Sequence, residues 1–322
     1  MKPNTRRAFL LVLAGAVMIG GQFAVPGFAS LGQVANQLKI ATFLGLFGIA
    51  QSLVMIAGEQ GLDLSVGAVA TLGGVLGAAV FGPSWASGVG GLAAALGVAA
   101  FSGAAVGAVN GVGIALLRIP PLVMTLAMAS LVDGGLIVWS SVMHVNTAAS
   151  PALAVLADRT LGGVPTVALV WLVASVLTWR FLEHSAWGRR LMATGANPTA
   201  AAIAGARVRA IRLIVYVASG IIAALTGVLL VGYVGQAFLG LGTTYVLPSV
   251  VIAVIGGVSL AGGRGDYIAV AIAAVLLTVL TSLLTALQIG EAGRQCIFGA
   301  TLLVFLALNG WPFKGLGQRA RA

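Results

Sequence analysis

Charge is what this chain has least of. Only 7% of its 322 residues are Asp, Glu, Lys or Arg, whereas 60% are hydrophobic and the mean hydropathy is +1.09. A water-soluble globule of that size needs a polar skin, so the composition excludes one. Cysteine is nearly absent. Cys296 stands alone, which excludes an intrachain disulfide and a cysteine metal cluster, and no metal site is expected. Histidine is scarce as well: His144 and His184 both fall in loops between apolar runs. No His, Asp or Glu pairing inside those runs supplies acid–base chemistry, so no catalytic residue is assigned and a membrane-embedded enzyme is disfavoured. Acidic residues number 7 against 17 basic ones, a formal charge of +10. The basic residues fall at the ends of apolar runs, the positive-inside pattern of a membrane protein, and do not argue for nucleic acid.

What the chain has in abundance is apolar length. A bilayer core of ~30 Å needs about 20 apolar residues per helix. Runs at 8–25, 38–57, 64–82, 89–117, 120–141, 165–182, 211–233, 247–261, 267–288 and 294–310 meet or approach that length. They predict an all-α, polytopic protein of about ten spans, with short or broken helices at the glycine-rich motifs and a single domain over 1–322. Lys2, Arg6 and Arg7 precede a first run longer than a signal-peptide core, so it reads as an uncleaved span. The run 89–117 must tilt or begin outside the membrane, and 247–261 is short. The 46 glycines let spanning helices approach closely. With the N-terminus inside, an even count returns Lys314, Arg319 and Arg321 to the same side, together with Arg118, the 183–212 loop and Arg264. The loop 142–165, with His144, Asp158 and Arg159, is left outside. Ala57–Gly61 and Ala261–Gly265 both interrupt apolar runs near an aspartate, Asp63 and Asp266, as a duplicated half would. Trp85, Trp139, Trp171, Trp179, Trp187 and Trp311 fall mainly near span ends, where indoles anchor to the interface.

The loop from Glu183 to Arg212 is the one elaborate polar stretch, and five of the 17 basic side chains sit in it. Within it Asn197 is a good N-cap, Pro198 suits the first helical position, and Gly205 can stop the helix in a left-handed conformation. The prediction is a two-turn helix beside the membrane, flanked by arginines, with Ala201, Ala202 and Ile203 as a small apolar surface for a partner. Asp63 and Ser65 open the third run; Asp63 reads as a helix cap, with a place on a solute path as the alternative. Asn110 reads as a helix–helix hydrogen-bonding residue. Thr125, after the helix break at Pro120-Pro121, reads as bonding its own backbone; both have the solute path as the alternative. Asp133 lies near the middle of its run, where a carboxylate costs several kcal/mol unless it is wet or paired. It is expected in a water-filled cavity on the transport path, or protonated. Gly256–Gly265 lacks the Gly-Lys-Ser/Thr ending of a phosphate loop and reads as a broken helix.

Gly61–Gly67, Asn110-Gly111, Ile119–Leu126, Gly188-Arg189 with Gly195 and Asn197, and Gly256–Gly265 occur in this order over residues 38–310. In order and spacing they resemble the permease subunit of bacterial ABC importers, in the branch serving ribose, xylose and related sugars. The resemblance implies a multi-pass sugar or polyol permease of the bacterial inner membrane with both termini cytoplasmic. It also implies a second permease subunit, identical or not, two cytoplasmic ABC ATPases, and a periplasmic or extracellular sugar-binding protein. ATP and Mg would bind to the ATPases, leaving this chain without a cofactor. The helix from Asn197 to Gly205 would then be the coupling helix that docks on the ATPase, with Gly195, Asn197, Pro198, Ala201, Ala202, Ile203 and Gly205 as its elements. The chain departs from the family's pattern in places. Glu59-Gln60 replace a commoner Thr-Gly, Ala196 replaces Gly and Ala206 replaces Ile. Asp133 stands where ribose-type members often carry a basic residue, which bears on the sugar carried. A permease of the same architecture for branched-chain amino acids or nucleosides is one alternative. An ion-coupled transporter binding its cation at Asp133 is another.

The distribution of basic residues makes a direct prediction. In a Cys296→Ser background, Ser150→Cys and Thr199→Cys should react with an impermeant maleimide from opposite sides of the membrane. Reaction of both from one side would overturn the span count.

Overall fold

A computed structural model describes residues 3–58, 60–80, 88–142, 148–158, 160–161 and 163–308. Lys2, Glu59, Trp85, His144, Arg159, Trp311, Lys314, Arg319 and Arg321 lie outside the described residues. Each apolar run carries a helix: α1 Pro3–Ala24, α2 Leu31–Ile56, α3 Val66–Val80, α4 Gly88–Ala115, α5 Pro121–Val142, α7 Thr166–His184, α10 Val208–Val234, α11 Val246–Ile255, α12 Tyr267–Ala286 and α13 Glu291–Leu308. Among the described residues, seven helices are long and apolar enough to cross a membrane; α3 and the stretch Thr243–Ile255 are shorter. Two short helices were not anticipated, α6 Pro151–Asp158 and α8 Ala186–Ala196; the six residues of α9 Pro198–Ile203 are the short helix expected between Asn197 and Gly205. A two-residue antiparallel pair, β1 Thr160–Leu161 with β2 Val164–Pro165, is the sheet among the described residues. Helix α2 starts well before its apolar run because Ser30 Oγ accepts the Gln33 amide and caps it at Leu31.

Helices α2 and α10 form the centre. α2 is buried along nearly its whole apolar length, whereas α1, α4, α5 and α7 turn most of their side chains outward, as lipid-facing helices do. α10 packs along α4, α3 and α2 and, at its far end, α6. Its contact with α4 is made by backbone. Gly103, Gly107 and Gly111 recur every four residues on α4 and face Gly220, Tyr216 and Leu213 of α10. A side chain at Gly103 or Gly220 would collide with the other's carbonyl. This is the small-residue seam expected where lipid supplies no hydrophobic drive for helix association.

The short helices are half-length elements that meet end to end. α3 has 15 residues and α11 has 10, so each rises only ~22 Å and ~15 Å. Gly67, the second residue of α3, lies against Gly242 and Val246 at the start of α11, and Thr71 Oγ1 accepts the Gly242 amide at 3.1 Å. Both N-terminal ends therefore face one level inside the bundle.

Side-chain contacts show which ends lie together. Arg7, Asp266 and Glu183 meet at one end, where Gly58, Gly195 and Gly262 also converge. At the other end, Asn36 accepts the Tyr233 hydroxyl at 3.4 Å and Ala148 bridges Gln236. The α4–α10 seam leaves no room for a side chain. Gly220→Val is expected to destabilise the fold by about 1–3 kcal/mol or more, as overpacking does. Thermal unfolding of the isolated chain in detergent measures this, with Gly134→Val as a near-silent control because open space surrounds that position.

Candidate functional site

Four of the five residues placed on a possible solute path come together in one buried cluster. Asp63 Oδ1 accepts the Ser65 amide at 3.0 Å and the Ser65 hydroxyl at 2.6 Å, and Oδ2 accepts the Ser219 hydroxyl at 2.7 Å. Asn110 donates its amide to Ser65 Oγ at 2.9 Å, and its Oδ1 has no partner among the described residues. Thr125 donates to its own helix at Pro121 O, 2.9 Å, and accepts the Leu64 amide at 3.2 Å. Asp63, Ser65, Asn110 and Thr125 are each at most 1% exposed. The helix cap is Ser65 itself, whose carbonyl accepts Val69 N; Asp63 sits two residues before it, outside the cap position. Its carboxylate still faces the positive end of α3. Ser219 is 11 residues into α10, so the cluster lies ~16 Å from that helix's first residue. Ser219 was not foreseen. A single serine in an apolar span, Tyr216-Val217-Ala218-Ser219-Gly220, gives no sign of whether it bonds its own helix or another.

Asp133 is placed apart from this cluster. It sits on α5, partly exposed, on a helix whose Leu131, Ile137 and Val138 face outward. It has no hydrogen bond or ion pair to any described residue.

The predicted two-turn helix is present. Asn197 Oδ1 accepts the Ala200 amide at 3.0 Å, Pro198 is the first helical residue, and Gly205 has φ +85°. Ala201 turns inward and is 4% exposed, so it is not part of the outer surface; a helix this short must bury one face against the chain. The outward face is Thr199, Ala200, Ala202 and Ile203, with Ile203 84% exposed. Ahead of it, α8 is an amphipathic helix capped by Ser185, whose Oγ accepts the Gly188 amide at 2.9 Å. A cleft of about 330 Å³ lies between α8 and α9, walled by alanines and by Arg189 and Arg190.

Two connections tie this element to the spans. At Gly195, the last turn of α8 lies so close to the end of α2 that a side chain would collide with Ile56 O and with Gly263 N. Those two groups are hydrogen-bonded to each other at 2.9 Å. Gly58 and Gly262, with φ +91° and +88°, stack at the same point. The two glycine-rich interruptions that looked like a duplication are thus packed on each other, with Gly195 wedged beside them. The second connection is ionic. Arg7 of α1 forks onto Asp266, the cap of α12, at 2.7 and 2.8 Å, and reaches Glu183 at the end of α7 at 3.4 Å. Two parallel N–H···O bonds to one carboxylate make this a forked, charge-assisted contact.

Residues 33–306 match a protein family described as branched-chain amino acid transport system / permease component. The ribose import permease protein of Escherichia coli (strain K12) is 30% identical over 287 residues, covering 88% of this chain and 87% of that protein. The fructose import permease protein of Rhizobium meliloti is 30% identical over 310 residues, covering 94% and 83%. The autoinducer 2 import system permease protein of Escherichia coli (strain K12 / DH10B) is 28% identical over 295 residues, covering 89% and 83%. No solved structure matches. With a family match over most of its length, relatives aligned over 88–94% of it, and a short capped helix wedged by glycine into a bundle of apolar helices, the chain belongs to the permease subunits of ABC importers, in the ribose/xylose-type branch.

Proposed function

We propose that this chain is the membrane subunit of an importer for a sugar or related polyol, driven by ATPase subunits that dock on α9. The observation that carries this reading is the junction at Gly195. An exposed apolar helix turn, Ala202 and Ile203, follows directly on α8, whose last turn rests by backbone contact on the end of α2 and on the Gly262-Gly263 loop that leads into α12, so force applied to it would reach the spans with little slack. The ribose and fructose import relatives support a sugar as solute. Closure of the ATPases would draw α9 and rock the glycine junction. The path runs along α5, on the face met by a second permease subunit, and Asp133 contributes a carboxylate for solute hydroxyls. Asp63, Ser65, Asn110 and Thr125 frame that path by fixing the start of α3 to α4, α5 and α10. An extracytoplasmic binding protein would deliver the sugar at the opposite end. Both termini and the 183–212 loop are cytoplasmic in this arrangement, in an inner membrane, and ATP and Mg belong to the partner subunits.

Burying Ile203 in a groove of the ATPase contributes roughly 1.5–3 kcal/mol. Ala202→Glu should leave the permease inserted but uncoupled, so that ATP hydrolysis no longer responds to the loaded binding protein. Thr199→Ala should be nearly silent. Normal transport by Ala202→Glu in a complex that copurifies with the ATPase would remove α9 from coupling.

Asp133→Asn should reduce uptake with the amount of assembled protein unchanged, because the carboxylate bonds to no other described residue. Normal uptake by Asp133→Leu would take it off the path. Uptake that follows a proton or sodium gradient without ATP would favour ion coupling instead.

A further inference from the structure

Between α2, α7 and the middle of α10 runs an open groove of about 510 Å³. Its walls are apolar: Ile49 and Leu53 of α2, Leu177 and Phe181 of α7, and Ile222 of α10. Leu177, Phe181 and His184 recur at i, i+4 and i+7 and so share one face of α7, a distance of ~10 Å along the helix. At the arginine-rich end of the bundle the groove closes on Arg180 and His184. Neither has a hydrogen bond or ion pair to a described residue. The one acidic group nearby in the chain is turned elsewhere: Glu183 accepts Arg7 Nη2 at 3.4 Å and Trp179 Nε1 at 2.8 Å. The groove therefore ends in positive charge that no described residue pairs, on the same end of the molecule as Arg189 and Arg190.

We propose that this groove binds one anionic phospholipid. An acyl chain lies against Leu53, Leu177, Phe181 and Ile222, and the phosphate meets the Arg180 guanidinium with His184 beside it. An open apolar slot between helices that ends in a cation at their basic end matches a lipid in both shape and charge. A soluble anion would gain nothing from the slot, and a neutral lipid nothing from the unpaired arginine. Helix α7 leads through Ser185 directly into α8 and α9, so an occupied groove holds the base of that element against α2. The site rests only on the chain being a membrane protein; it is independent of the solute and of how α9 is driven.

Native mass spectrometry of the purified full chain tests this, with phosphatidylglycerol and phosphatidylcholine of identical acyl chains added in turn. The expected result is one retained phosphatidylglycerol per chain, favoured about fivefold over phosphatidylcholine, as one basic side chain near a headgroup supplies. Arg180→Gln should abolish that preference and Arg180→Lys should keep most of it, which separates loss of charge from loss of fold. Leu177→Trp should lower retention of both lipids by filling the slot. Arg209→Gln, at the start of α10 and outside the groove's lining, should change nothing. Equal retention of the two lipids by the natural chain, or an unchanged preference in Arg180→Gln, would overturn the proposal. So would efficient disulfide cross-linking of two copies through Leu177→Cys in a Cys296→Ser background, because a second permease would then fill the groove.

Discussion

Inside a bilayer a backbone that leaves the helix must find its hydrogen bonds within the protein, because no water is there to supply them. The stretches that break the apolar runs here, 57–65, 235–245 and 256–266, obey that constraint. Leu64 N goes to Thr125, Ser65 N to Asp63, Gly242 N to Thr71 and Gly263 N to Ile56 O. Each of these bonds joins a break to another part of the bundle or folds it upon itself. The breaks are therefore the places where the helices are tied to one another. Half-length α3 and α11 can exist at mid-bundle only because their first residues meet and are satisfied there.

Asp63 follows from the same constraint. A carboxylate so deep costs several kcal/mol unless it is fully bonded. Three donors and the positive end of α3 supply what an ion pair supplies to Asp266. The difference in solution reflects depth. Near the end of the bundle, Arg7 can reach Asp266 while keeping part of its side chain in water; beside Ser219 a guanidinium would itself need partners that the apolar spans do not offer.

The glycines at 58, 195, 262 and 263 turn a loop-borne helix into part of the frame. Side chains between packed elements can change rotamer and absorb motion, whereas backbone resting on backbone has no such freedom. Through Gly195, α8 rests on the end of α2 and on the Gly262-Gly263 loop, which leads within three residues to Asp266, the cap of α12. Arg7 adds α1 to the same assembly. In the proposed coupling role, this short helix with its exposed isoleucine would be a lever on a rigid fulcrum.

Much of this was legible in the residues. Apolar run length depends only on composition, so the all-α membrane class and a helix for each run followed directly. Asn197, Pro198 and Gly205 define α9 through interactions within a few residues, and local rules suffice for local bonds. The tertiary structure decided the rest. That Ala201 faces inward, that Ser219 bonds Asp63 across 156 positions, and that Gly58 and Gly262 stack beside Gly195 all depend on which helices are neighbours. Alternation of charge at the run ends orders the spans through the membrane but says nothing of their arrangement within its plane. That arrangement is set by close backbone approach at glycines and by the pairing of buried polar groups, and both are properties of two segments at once.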